Sequence, residues 1–111
     1  MNPDPRLVEA IRRQPRHLQP ILLATALVES GGRLDAVGDG GNSHGAFQEN
    51  RYGRGSGIPI SSSRDPFAST GRAAREFLTY WNRGARGADL AYRAQRPADR
   101  NSYIRKINEA L

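Results

Sequence analysis

The sequence predicts an all-α (mainly α) fold in a single domain spanning residues 1–111. Three observations carry this expectation. Apolar residues recur at helical spacing, most clearly Phe67, Ala74, Phe77, Leu78 and Trp81. Segments open and close on helix punctuation: Asp4-Pro5 and Asp65-Pro66 at starts, Gly31-Gly32 and Gly84 at stops. A length of 111 residues suits one modest hydrophobic core.

Taken in order, Asp4 caps a first helix with Pro5 at its first position and Leu7, Val8 and Ile11 on its apolar face. A second, buried helix runs from about Leu18 or Pro20 to Ser30, and Gly31-Gly32 stops it. Residues 31–64 read mostly as loop, with a short helical turn around Ala46 to Tyr52 or, alternatively, a small hairpin. Asp65-Pro66 begins the clearest helix, whose apolar stripe is core and which Gly84 ends. A shorter helix covers about Ala88 to Gln95, and Pro97 breaks it. The last spans roughly Ala98 to Leu111, with Tyr103, Ile104, Ile107 and Leu111 inward. No internal repeat or low-complexity tract interrupts this pattern.

Composition narrows the function classes. The chain has no cysteine, so disulfides and thiolate metal sites are excluded. His17 and His44 are its only histidines, and without an H-E-x-x-H pattern they argue against a metal site. The polar N-terminus gives no signal peptide, and the apolar run at 21–28 is too short for a membrane span. The formal charge is +6, and sixteen of the seventeen basic residues are Arg. Such a balance favours polyanions, either nucleic acid or a bacterial wall bearing carboxylates and phosphates. No run of five or six basic residues and no nucleic-acid motif occurs, so nucleic acid ranks second as a partner.

The run Ala24-Thr25-Ala26-Leu27-Val28-Glu29-Ser30-Gly31-Gly32 is the most informative feature. It carries one carboxylate at the end of a helical segment whose only other polar residue from Ile21 to Val28 is Thr25. Desolvation there disfavours the charged form and raises the pKa. A carboxylic acid still protonated near neutral pH can give its proton to a leaving oxygen, as glycoside cleavage requires. A helix-terminal Glu facing solvent is the plain alternative.

A loop follows, Gly38-Asp39-Gly40-Gly41-Asn42-Ser43-His44-Gly45-Ala46-Phe47-Gln48, and nine of the twelve glycines lie between Gly31 and Gly57. That density marks turns or a backbone lying close against something. No Gly-Lys-Ser/Thr follows and no β-rich segment precedes, which argues against a phosphate-binding loop. Val at Gly41 or Gly45 is expected to impair activity more than stability.

Glu29-Ser30, the loop, and Gly45-Ala46-Phe47-Gln48 together resemble the lysozyme-like superfamily of peptidoglycan glycosidases. The similarity is to soluble lytic transglycosylases and, more closely, to goose-type lysozymes, whose Gly-Asp-x-Gly-Asn pattern is matched by Gly38-Asp39-Gly40-Gly41-Asn42. It is clear over roughly residues 20–52 and fainter beyond, where Leu90-Ala91-Tyr92-Arg93-Ala94-Gln95 stands in place of an Ala-Tyr-Asn-Ala-Gly motif.

The resemblance implies a compact lysozyme-like domain that cleaves the β-1,4 bond between N-acetylmuramic acid and N-acetylglucosamine. It implies Glu29 as general acid and Asp39 as the residue that positions or activates water. It implies Ser30, Gln48, Tyr92 and Tyr103 as substrate-binding residues, with Gln48 contacting sugar or bracing the cleft floor. For each Tyr, ordinary helix packing is the alternative. No cofactor is implied. Peptidoglycan is the implied partner, with other virion proteins if the domain belongs to a bacteriophage particle. Without a signal peptide, the expected location is the virion or a wall reached by another delivery route.

Four positions depart from the family pattern: Ala46 for Leu, Asn50 for a second Asp, Arg93 for Asn and Gln95 for Gly. They leave three outcomes open: hydrolysis, ring closure by the sugar's own hydroxyl as in a lytic transglycosylase, or a wall-binding module that has lost the chemistry.

Overall fold

A computed structural model describes residues 2–111. The local punctuation acts where the sequence places it. Asp4 accepts the Arg6 N–H at 2.9 Å and caps α1 (Pro5–Arg12). A 3-10 turn at Arg16–Leu18 leads into α2 (Gln19–Ser30). Gly31 ends α2 at a φ of 67°, and the Gly32 N–H returns to the Ala26 carbonyl at 3.2 Å. Only a residue that tolerates left-handed φ closes a helix this way. Asp4 N–H donates to the Gly32 carbonyl at 2.9 Å, so the start of α1 is tied to the end of α2. An apolar helix with no strong polar face belongs in the middle of a fold. Accordingly α2 packs against four other helices: α1, α4 (Pro66–Trp81), α5 (Gly87–Gln95) and α6 (Arg100–Ala110).

The segment after α2 decides between its two expected forms in favour of the small hairpin. Ala46 to Tyr52 forms no helical turn. Instead β1 (Val37–Gly38), β2 (Ser43–His44) and β3 (Glu49–Asn50) make a small antiparallel sheet in the order β1-β2-β3, with Gly38 opposite Ser43 and His44 opposite Glu49. Gly45 at φ 83° and Gln48 at φ 50° turn the chain back between β2 and β3, which a right-handed helix cannot do. The Gln48 amide holds its own strained backbone by donating to the carbonyls of Ala36 at 3.1 Å and Gly45 at 2.9 Å. A Cβ on Gly45 would run into the Ser63 carbonyl, so that glycine is set by packing as well as by φ. Gly41, at φ 97°, has nothing within 4 Å of such a Cβ. A Val at either position strains a left-handed backbone, and at Gly45 it also meets Ser63, so a stability cost is expected at both and is larger at Gly45.

A five-residue helix, α3 (Ile60–Arg64), lies in what reads as loop, its three serines giving no apolar period. Asp65 then caps α4 by accepting the Phe67 and Ala68 N–H groups, each at 2.9 Å. The buried stripe of α4 is rotated from the expected one: Pro66, Ser69, Thr70, Ala73, Ala74 and Phe77 are buried, while Phe67 is 40% and Leu78 36% exposed. Small side chains on the buried face let α4 approach its neighbours, and Phe67 instead meets the Arg13 guanidinium 4.6 Å from its ring centre. Arg96 takes a left-handed φ of 53° before Pro97 and closes α5. Asp99 caps α6 through the Ser102 N–H at 3.1 Å. Tyr103 and Ile107 face inward, whereas Leu111, beyond the last turn, is 57% exposed.

Leu7, Leu18, Leu22, Phe77, Leu90 and Ile107 fill the core, joined by Phe47 from the glycine-rich loop. Phe47 is thus the plug that fastens the sheet to the helices. No described helix is long and apolar enough to cross a membrane.

Candidate active site

Phe47 also sets out the cleft beside it. Its carbonyl accepts from Gln95 Nε2 at 3.0 Å and from Arg54 Nη2 at 3.4 Å, joining the end of α5 to the segment after β3. Between these lies a cleft of about 700 Å³ lined by Glu29, Asp39, Gln48, Asn50, Tyr52, Gly53, Arg54, Gln95, Arg96, Pro97 and Ala98. The last turn of α2, the sheet and the α5–α6 connection therefore meet around one carboxyl group.

That group is Glu29. Tyr103, reaching from α6, donates its hydroxyl to Glu29 Oε2 at 2.8 Å. Burial pushes the Glu29 pKa up from the ordinary carboxyl range, while the Tyr103 hydrogen bond, the Arg54 charge and the Gln95 amide pull it down and the Asp39 charge adds to the rise. Burial wins, because a carboxylate removed from water loses more hydration than these neighbours restore. The Tyr103 hydroxyl is itself driven upward, by burial first and by the adjacent Glu29 charge next, and so remains a donor.

Asp39, at a left-handed φ of 52°, lines the same cleft. Its Oδ2 accepts from Ser43 Oγ and from Asn50 Nδ2, both at 3.0 Å, and Asn50 Nδ2 also donates to Ser43 Oγ at 3.1 Å. The neutral amide at position 50 thus pins Asp39 where a second carboxylate would repel it. Below it, the nearly fully buried Glu49 side chain takes two hydrogen bonds from Arg72, each at 2.8 Å, and Arg72 also reaches the Ser62 hydroxyl and carbonyl. This pair ties β3, and with it Asn50, to α3 and α4.

Of the residues singled out in the sequence, Glu29, Asp39 and Gln48 line the cleft. Gln48 spends both amide hydrogens on backbone carbonyls and braces the floor. Tyr103 touches Glu29 rather than the cleft wall. Ser30 is not among the lining residues: its hydroxyl donates to Ala26 O at 2.9 Å and accepts from Gly32 N at 3.2 Å, closing the helix. Tyr92 is also outside the lining: it lies half-buried against the core, with the Arg100 guanidinium 5.4 Å from its ring centre.

Sequence reasoning missed Arg54 and Tyr52 and gave Gln95 no role. Arg51-Tyr52-Gly53-Arg54 interleaves basic and aromatic residues, a signal that was present. Tyr52 lines the cleft and, at 87% exposed, presents its aromatic ring to solvent there. Gln95 Oε1 is buried without a hydrogen-bond partner. His44 Nε2 is paired with the Gly41 carbonyl at 2.9 Å and supports the loop. Among the described residues no three His, Cys, Asp or Glu side chains gather as metal ligands would. Set against known family models, curated proteins and solved structures, the chain matches none of them, so any functional reading rests on the site itself.

Proposed function

We propose that this domain cleaves the β-1,4 bond between N-acetylmuramic acid and N-acetylglucosamine in peptidoglycan, with Glu29 as general acid. The observation that carries the reading is a desolvated carboxyl group, its pKa raised by burial, lining an open cleft. In this scheme Glu29 passes its proton to the glycosidic oxygen and the bond to the anomeric carbon breaks. Hydrogen bonding from Tyr103 and the charge of Arg54 then favour the carboxylate that results. Asp39 has one carboxylate oxygen outside the Ser43–Asn50 network, and that oxygen orients the attacking water. Its proton leaves through Asp39, giving a free reducing end.

Ring closure is the second reading, and the network on Asp39 Oδ2 favours it, since Asp39 then only braces the loop. The attacking group becomes the sugar's own hydroxyl, whose proton returns to Glu29, and the product is an anhydro sugar. The chain's +6 charge suits an anionic wall. Location at the wall, and delivery by a virion, belong to the same proposal and follow from the resemblance. Mass analysis of fragments released from purified walls tests all of this together. Reducing ends support hydrolysis, and fragments lighter by one water support ring closure. Wall binding with no release leaves a binding module and refutes the enzyme.

A further inference from the structure

Arg54 is the charged group that the proposed chemistry leaves underused. Its side chain lines the cleft beside Glu29, in a half-buried position. It takes part in none of the ion pairs among the described residues, and its one hydrogen bond within the protein is the 3.4 Å contact to Phe47 O. Of the carboxylates around it, Glu29 feels its charge but forms no ion pair with it and takes the Tyr103 hydroxyl instead, and the other two are committed elsewhere. Glu49 is held from two sides by Arg72, and Glu76 is paired with Arg96 at 3.2 Å. Arg96, the other cation of the cleft, divides its Nη2 between Glu76 and the Tyr80 hydroxyl. A guanidinium has five N–H donors in a planar fork that matches a carboxylate, and leaving them unpaired in a partly dry site is costly.

Resting on the glycosidase reading above, we propose that Arg54 is a specificity-determining residue that binds a carboxylate carried by the glycan. The ligand class is an acidic N-acetylated β-1,4 glycan, in preference to a neutral one of the same backbone. Two sources supply that carboxylate in a bacterial wall: the lactyl ether on the muramic sugar, where it bears no peptide, and the peptide attached through it. With the carboxylate on Arg54, the sugar chain is fixed in register over Glu29, so the same contact selects the ligand and orients the bond to be cut.

The experiment measures binding, in the Glu29→Gln protein so that no ligand is consumed. The probes are a neutral chitin oligomer, muramic-acid strands of equal length stripped of peptide, and strands that keep peptides with free carboxylates. At low salt the acidic strands are expected to bind about tenfold tighter than chitin, the scale of one hydrogen-bonded charge pair. Preference for stripped strands assigns the lactyl carboxylate, and preference for peptide-bearing strands alone assigns the peptide. Arg54→Gln is expected to collapse the ratio towards one, and Arg54→Lys to keep part of it, with melting curves confirming that both are folded. Equal binding of acidic strands and chitin overturns the role of Arg54 and leaves the glycosidase reading standing. So does a ratio that survives Arg54→Gln. Failure of all three glycans to bind overturns both.

Discussion

Replacing Glu29 by Gln separates catalysis from stability, because the two respond in opposite directions. The amide keeps the shape of the side chain, and its oxygen still accepts the Tyr103 hydroxyl that sits 2.8 Å from Glu29 Oε2. What it loses is the transferable proton. General acid catalysis contributes about 10²–10⁴-fold, which corresponds to roughly 2.7–5.4 kcal/mol of barrier. Turnover should fall by that factor. Stability should move the other way. The Glu29 pKa is raised in the folded protein above the ordinary carboxyl range, so in the window above that range the native state binds more protons than the unfolded chain. Its stability therefore falls as pH rises through that window. The Gln variant has no such loss and should gain on the native protein as pH goes from acid to neutral. For a chain of 111 residues, each 1 kcal/mol of relief corresponds to about 4 °C in Tm. Fragment release from purified walls reads the first effect, and thermal melts at acid and neutral pH read the second. Undiminished turnover in the variant refutes Glu29 as the acid. Lost turnover with a lowered Tm at neutral pH refutes the electrostatic account of the site.

Three further perturbations follow from named contacts. Tyr103→Phe removes a hydrogen bond that favours ionised Glu29, so the Glu29 pKa rises further and the alkaline limb of the pH–activity profile should move to higher pH; a limb that stays or moves down counts against the pairing. Asn50→Asp replaces two donated hydrogen bonds at Asp39 and Ser43 with like-charge repulsion. It should cost about 1–2 kcal/mol in a urea melt, less at high salt, and lower activity with it. Arg72→Met strands the nearly fully buried Glu49 carboxylate and should cost about 3–5 kcal/mol. That is a Tm drop of roughly 12 °C or more, most of it recovered when Glu49 is changed to Met as well; a small drop would show that water reaches Glu49.

What was legible in the sequence is what local chemistry decides. Asp4 and Asp65 cap the helices they precede, and Gly31 ends α2, because each acts within four residues of itself. The small hairpin was legible only as one of two alternatives, and its strand bounds were not, at two residues each. The strands exist because Gly45 and Gln48 take positive φ and because Gln48 reaches back to Ala36, twelve residues earlier. The stripe of α4 was misjudged for a related reason. Hydrophobicity put Phe67 and Leu78 inside, and close packing preferred Ser69, Thr70 and Ala73. At the site, Glu29, Asp39 and Gln48 were placed in the cleft because contiguous motifs carry them. Ser30 and Tyr92 were not, since the use of a hydroxyl depends on which carbonyl or neighbour lies opposite. Arg54 escaped notice because an arginine is informative only when no carboxylate pairs with it, and that is a property of the folded chain.

The departures at Asn50 and Gln95 are consistent with one physical requirement. On the glycosidase reading, Glu29 must be neutral before the bond breaks and charged afterwards, within a site that cannot reorganise greatly between the two. Burial serves the first state by raising the pKa. Tyr103, Arg54 and the Gln95 amide serve the second by favouring the carboxylate. A glycine at position 95 would remove the amide facing Glu29 and the hydrogen bond to Phe47 O, and so loosen the loop plug as well as the acid. The same economy applies elsewhere in the cleft. An aspartate at position 50 would add negative charge where Asp39 already raises the Glu29 pKa, whereas the amide there lets a single carboxylate hold its position. At position 50 a neutral amide holds Asp39 by a hydrogen bond, and at position 95 one favours the Glu29 carboxylate while it is bonded to Phe47 O. Of the two arginines that line the cleft, Arg96 is paired with Glu76 and Arg54 is the one in no ion pair, which is what leaves its donors for the ligand proposed above.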